Sequence, residues 1–275
     1  MRLSFRRANT NLSSRVQTLF TCSFQFNFSS ITIPKNKVDC TGSNIVIREA
    51  FCQDESVCIG TEVNKNPVAA EELLELCADA ALDGVSLVTV ATDTGEVVSA
   101  AFNKLQVSTS DSSEKPFFEI FAEERCTQPS SRALIEWMAE VDGRCNFFEK
   151  YNVDCSLEIM FLATLREHRF HKLGTILCRT SIELGKKLKN GPVSQMTVQD
   201  LGPSYSNMAA RKPVAKVPKI CQALWTAEPT QKIGKVLNFV VGLRVSFNDF
   251  YYNGKSYADR LGEEVFAEAA ALRID

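Results

Sequence analysis

The chain has 275 residues, enough for one large domain or two small ones. Apolar residues make up 45% and charged residues 23%, which excludes a wholly disordered chain. Thirty-one Lys and Arg against 33 Asp and Glu leave a net charge of −2, which argues against a protein built to coat nucleic acid or an anionic membrane.

The charge is unevenly placed. Arg2, Arg6, Arg7, Arg15, Lys35 and Lys37 lie in the first 38 residues, which hold no acid. That Arg- and Ser-rich segment has the composition of a mitochondrial transit peptide. It is equally the composition of a disordered extension. Phe24, Phe26 and Phe28 alternate with polar residues there, a strand-like pattern rather than a signal-peptide core. Residues 1–41 are taken as a basic, disordered extension and 42–275 as the folded domain. Ten cysteines without any CxxC spacing, and only two histidines, argue against a zinc site or a dithiol redox motif. The thiols are expected to be free, in a reducing compartment. No apolar run reaches 18 residues, so no membrane-spanning helix is expected.

Residues Asn44–Arg48 read as a first short strand, and Phe51–Glu62 as a short helix or turn. Ala69–Leu82 is a helix by its Ala, Leu and Glu content, with Leu73, Leu76, Cys77 and Ala80 on one face. A hairpin follows, Val85–Ala91 and Val97–Leu105, turned by Asp93-Thr94-Gly95-Glu96. Residues 108–116 read as a polar loop, and Ser131–Tyr151 as one helix. Cys155–Leu165 is a near-continuous apolar run, as in a central strand buried on both faces. Lys172–Asn190 is the most regular helix of the chain, stopped by Asn190-Gly191-Pro192. Residues 200–218 form a long loop. Ile220–Trp225 is a strand, Pro229–Leu237 a short helix, and Val240–Ser246 and Ala269–Ile274 are late strands. This order implies a mixed α/β sheet with one parallel crossover around helix 172–190.

The stretch Leu162 to Thr175 carries the most chemistry. A buried strand runs through a loop straight into a long helix. The first turn of a helix offers unpaired N–H groups and about half a positive charge, which suit a phosphate. Arg169, Lys172, His168 and His171 surround that terminus, and Gly174 permits a close backbone approach. By chemistry alone this is either an anion site or a solvated basic helix start.

Arg169-x-x-Lys172-x-Gly174 resembles the Arg/Gln-x-x-Gly-x-Gly/Ala pyrophosphate loop of the GNAT superfamily of acyl-CoA-dependent N-acyltransferases. Phe51-Cys-Gln-Asp54-Glu55 is similar to the Phe-x-x-Asp-Glu motif of the insect arylalkylamine N-acetyltransferases. The hairpin 86–105, the stretch TAEPTQKIGKVLNF at 226–239 and the tail FYYNGKSYADRLG at 250–262 resemble that group too. The likeness spans roughly residues 44–274. Two departures stand out: Lys172 replaces the first glycine of the loop, and Ser56 follows the Asp-Glu pair where a proline is common.

The resemblance implies a GNAT fold, a mixed and mostly antiparallel sheet with a central parallel strand pair flanked by helices. It implies acetyl transfer from acetyl-CoA, as co-substrate, to a primary amine, by the group's name an arylalkylamine. Acetyl-CoA would lie against Leu162, Ala163, Thr164, Arg169, Phe170, His171, Lys172, Leu173, Gly174 and Thr175. An alkylamine with a pKa near 10 is charged at pH 7 and must lose a proton before it attacks. Glu55 matches the base of the related enzymes, with Asp54 adding negative charge beside it. Thr226 and Thr230 match positions where the relatives carry serines, and a hydroxyl there could protonate the leaving thiolate. Backbone N–H groups near 161–164 would polarise the thioester. Trp137, Trp225, Phe117 and Phe118 are candidates for an aromatic amine pocket. No metal, nucleic acid or membrane is expected; the expected state is a cytoplasmic monomer, or a mitochondrial one if residues 1–38 act as a transit peptide. The alternatives are an acyltransferase for longer acyl-CoA or polyamine substrates, and a GNAT-fold acyl-CoA-binding protein with weak catalysis.

Overall fold

The computed structural model describes residues 40–108, 115–191, 196–263 and 265–275, with the backbone of residues 16–20. Phe24, Phe26 and Phe28 lie outside the described residues. Within the segment read as an extension, Val16–Phe20 forms strand β1, paired antiparallel with β2 from Val16↔Ala91 to Phe20↔Leu87.

Helix α1 (Cys40–Val46) runs through a π-turn (Ile47–Phe51) into the short α2 (Cys52–Asp54). This corrects the strand expected over 44–48. Ser43, Val46, Ile47, Ala50 and Phe51 are buried, and their three- and four-residue steps are helical. Packing of that stripe overrides the β preference of the branched residues. Helix α3 (Ser56–Gly60) follows after a single extended residue, Glu55, at ψ 140°.

Asn66 caps α4 (Pro67–Ala81), its side chain accepting from the N–H of Val68 and Ala69 at 3.1 and 3.2 Å. Strands β2 (Leu87–Ala91) and β3 (Val97–Val107) form the expected hairpin. Helix α5 (Phe117–Glu124) has no counterpart in the sequence reading; eight residues give too short a period to register. The helix expected over 131–151 is two, α6 (Pro129–Arg144) and α7 (Phe147–Tyr151). The break falls where the Asn146 side chain accepts from the Glu149 N–H at 3.3 Å and starts α7.

Strand β4 (Cys155–Thr164) is buried on both faces. Leu157 and Ile159 join the core beneath α8 (Leu173–Lys187), while Phe161 and Ala163 join the larger core under α1–α6. The stretch 198–205 is not featureless but holds two 3₁₀ turns. Strand β5 (Ile220–Trp225), α9 (Glu228–Val236) and β6 (Val240–Ser246) follow. A two-residue ladder, β7 (Tyr251–Tyr252) with β8 (Lys255–Ser256), leads into α10 (Tyr257–Leu261), and β9 (Phe266–Arg273) closes the chain.

The main sheet has the order β1-β2-β3-β4-β5-β9-β6. Among the described strands only β4 and β5 pair in parallel, across the α8 crossover, as the mixed sheet required. No helix among the described residues is long and apolar enough to cross a membrane.

Candidate active site

The parallel ladder between β4 and β5 runs from Ser156↔Ile220 to Ile159↔Ala223 and stops. Both strands continue, to Thr164 and Trp225. A bulge in β4 marks the point: Phe102 faces Phe161 and Asn103 faces Ile159, so Met160 is the extra residue. Beyond it the two strands part, and the wedge between them is the floor of a cleft of about 800 Å³.

The bulge also decides which backbone groups face the wedge. Leu165 N–H donates to Val98 O at 3.0 Å, on the β3 side. Antiparallel alternation then turns Phe161 and Ala163 toward β3. Leu162 and Thr164 direct their N–H and C=O to the opposite edge, where β5 has left. Thr164 O uses that freedom to accept from Arg169 Nε at 3.1 Å.

Helix α8 begins at the end of this wedge. Leu173, Gly174 and Thr175 supply its first N–H groups, and Ile176 is the first to bond back, to Lys172 O at 3.0 Å. No side chain caps the terminus. All three first-turn residues line the cleft, so three backbone donors and the positive end of the helix dipole face it. Lys172 sits at φ 60°, ψ 20°, in the left-handed region that a glycine would occupy without strain. Gly174 has another role. A Cβ there would lie 3.1 Å from Ile233 Cδ1, so its bareness seats α8 against α9. Phe170 also has a left-handed backbone, at φ 66°. His168 lines the cleft; His171 is exposed and does not, its Nδ1 lying 3.2 Å from His168 O.

The opposite wall comes from α2, α3 and α6. Glu55 is half-buried and lines the cleft. Its Oε2 accepts from Cys58 N–H at 2.7 Å, capping α3. The buried Cys58 thiol also lies against this carboxylate, and no cation pairs with it among the described residues. Asp54 points elsewhere. Its carboxylate takes Arg166 Nε at 2.9 Å and Arg169 Nη2 at 2.5 Å, with Arg166 Nη2 on its other oxygen. The Arg166 guanidinium, ahead of Arg169, holds the Asp54 carboxyl below the usual carboxylate range. Asp54 is therefore a tie between α2 and the loop before α8, with its charge compensated, and not a second negative charge for an amine. Arg166 was not singled out in the sequence; its three-residue step from Arg169 was the available signal.

The two threonines divide in the same way. Thr230 Oγ1 donates to Ala227 O at 2.8 Å and accepts from Ala227 N–H at 3.3 Å, so it caps α9. Thr226 lines the cleft and its hydroxyl has no partner among the described residues. Trp137, with Leu134 and Met138 of α6, lines the cleft beside Glu55. Phe117 and Phe118 do not line it. Phe117 instead lies under the Lys104 ammonium, 3.9 Å from its ring centre, in a buried cluster with Asp79, Asp83 and Arg211. Phe51 and Phe161, 4.3 Å apart between ring centres, close the cleft floor; the sequence reading used Phe51 only within its motif and Phe161 only for its backbone. No group of three or more metal-ligating side chains occurs among the described residues.

The fold has solved counterparts. Arylalkylamine N-acetyltransferase 2 from Aedes aegypti superposes with a TM-score of 0.62 at 16% identity, over 87% of this chain and 98% of that one. The polyamine N-acetyltransferase of Drosophila melanogaster, which forms N-acetylagmatine, gives 0.60 at 13% identity, over 86% and 98%. The chain has the GNAT N-acetyltransferase fold. The C-terminal condensation domain of Ebony, solved with β-alanyl-dopamine, gives 0.54 at 11% identity, over 95% and 100%. The same architecture thus serves proteins described by different reactions and amines, and the residues of the cleft must argue the chemistry. No family model matches the chain, and no curated protein matches it by sequence.

Proposed function

We propose that the protein transfers an acetyl group from acetyl-CoA to a small primary amine, with an arylalkylamine as the acceptor. One observation carries the reading. The parted strands, the uncapped start of α8 and the carboxylate of Glu55 all border one cleft. A diphosphate suits the three N–H groups of α8, and a thioester suits the wedge.

In this reading Glu55 Oε1 takes the proton of the bound ammonium, directly or through one water, leaving a nucleophilic amine. The amine nitrogen attacks the thioester carbon. Backbone N–H of Leu162 or Thr164 stabilises the oxyanion. The C–S bond then breaks, and the second proton of the attacking nitrogen passes to the thiolate, for which the Thr226 hydroxyl is the available relay. The products are the N-acetylamine, free CoA and one proton. Leu134, Trp137 and Met138 offer the acceptor an apolar, aromatic wall. Glu55 is the one cleft carboxylate without a cation beside it, which suits a monoamine. The buried free thiols suit a reducing compartment; a cytoplasmic location and action as a monomer belong to the same proposal.

A thiol-release assay with acetyl-CoA and a panel of dopamine, serotonin, agmatine and spermidine tests it. Glu55→Gln should lower kcat/KM at neutral pH by about 10²–10⁴, with the loss shrinking as pH nears the amine pKa. Glutamine keeps an oxygen for Cys58 N–H, so the fold should persist. Saturable acetyl-CoA binding without thiol release would leave a binding protein; turnover of spermidine alone would reassign the acceptor. Unchanged kcat/KM in Glu55→Gln between about pH 6 and 9 would remove Glu55 as base.

A further inference from the structure

Phe170 is unexplained by folding. Its side chain is 101% exposed, the most exposed large apolar residue of the described chain. Its backbone is left-handed, at φ 66°, where a bulky L-residue is strained. Among the described residues its ring stacks on no other ring. An exposed apolar side chain on a strained backbone contributes nothing to stability, and a glycine or asparagine would serve the turn better. Yet Phe170 borders the cleft, three residues before the first residue of α8.

We propose that the Phe170 ring is the platform on which the adenine of the acyl-CoA stacks; this rests on the acyl-CoA reading above. The connectivity of the ligand argues for it. Pantetheine leads from the thioester to the diphosphate, and the nucleotide lies beyond the diphosphate. If the thioester lies in the wedge and the diphosphate at α8, the base comes out at the solvent edge beside the loop 166–172. Phe170 carries the largest aromatic ring of that loop and the most exposed one of its apolar side chains. Every base has a π-face, so stacking needs no hydrogen-bond partner. Lys172 and His168, on either side, border the same cleft mouth and suit the phosphates of the nucleotide. The acceptor's aromatic ring is a poorer candidate for this surface. Its wall beside Glu55 comes from α2, α3 and α6, and Phe170 is on none of these.

Truncated ligands separate the adenine from the rest. Binding of free CoA and of 4′-phosphopantetheine is measured by calorimetry on the wild type, Phe170→Ala, Phe170→Gly and Phe170→Trp. Base stacking predicts that Phe170→Ala and Phe170→Gly weaken CoA roughly 5- to 150-fold and leave 4′-phosphopantetheine unchanged. Phe170→Trp should keep CoA affinity. Phe170→Gly also removes the backbone strain, so CoA loss with an undiminished melting temperature excludes misfolding as the cause. Equal loss for both ligands, or no loss of CoA affinity, would overturn the platform while leaving the acyl-CoA reading intact. A wild type that binds no CoA would overturn both.

Discussion

Replacing Lys172 by glycine should make the protein more stable, although it removes a charged side chain and adds chain entropy. The left-handed backbone at φ 60° costs an L-residue about 1–2 kcal/mol. Glycine removes that strain but loses about 0.4–1 kcal/mol through the greater freedom of its unfolded chain. No ion pair or hydrogen bond of the Lys172 side chain occurs among the described residues, so no native contact offsets the gain. The balance is about 0.5–1 kcal/mol in favour of Lys172→Gly, or roughly a 1–4 °C rise in melting temperature for a domain this size. Lys172→Ala is the control: it loses the charge and keeps the strain. If the ammonium meets a phosphate across solvent, both variants should bind acetyl-CoA up to about tenfold more weakly, and less so as salt is added. Calorimetric melting and acetyl-CoA titration read the two effects separately. A glycine variant less stable than the alanine variant would refute the strain argument. Tighter binding by Lys172→Gly alone would show that the side chain obstructs the loop.

Two further perturbations test the supports of the site. Asp54→Asn removes a carboxylate that bridges two arginines, and at pH 7 it should lower stability by about 1 kcal/mol and raise the Kd for the amine through a loosened α2. Because the folded pKa of Asp54 lies below its unfolded value near 4, its contribution is full above that pH and fades as pH falls through the folded value. Urea unfolding at pH 7 and pH 3 should therefore show a gap between wild type and variant that narrows in acid; a gap that widens would contradict the pairing. Removing residues 1–38 deletes β1, bares the edge of β2 along five register pairs, and should lower the melting temperature and promote aggregation. An equally stable, monomeric truncated protein would show that β1 is dispensable.

Much of this architecture is legible because its signals are local and periodic. The Asp93-Thr94-Gly95-Glu96 turn between β2 and β3, the apolar run of β4, the stripe of α8 and the Asn190-Gly191 stop each correspond to a feature of the fold within a few residues. The misreading at 44–48 has a physical cause. Ile45, Val46 and Ile47 favour strand by type, and only the tertiary burial of Val46, Ile47, Ala50 and Phe51 makes them helical. The strand β1 was hidden for the opposite reason: five residues within a basic, Ser-rich segment are paired by a partner about 70 positions away. The loop residues Arg169 to Thr175 stand out as a group from spacing alone. Which of their side chains is already engaged does not, because Arg169 finds Asp54 across 115 positions.

The Asp54-Glu55 pair shows how little sequence adjacency decides. Asp54 ends a helical turn, and Glu55 at ψ 140° is the single extended residue before α3. One extended peptide between two helices is enough to send neighbouring carboxylates in different directions. Asp54 meets two guanidiniums, which hold its carboxyl below the usual carboxylate range. Glu55 keeps one oxygen on an N–H of α3 and leaves the other toward the cleft. A proton acceptor has to be fixed in place yet retain a free lone pair, and an N-cap carboxylate meets both demands at once. Its capped oxygen holds the geometry, and the tie through Asp54 anchors the same turn to the loop that begins α8. The wall formed by α2 and α3 and the loop that begins α8 are thereby joined through one dipeptide.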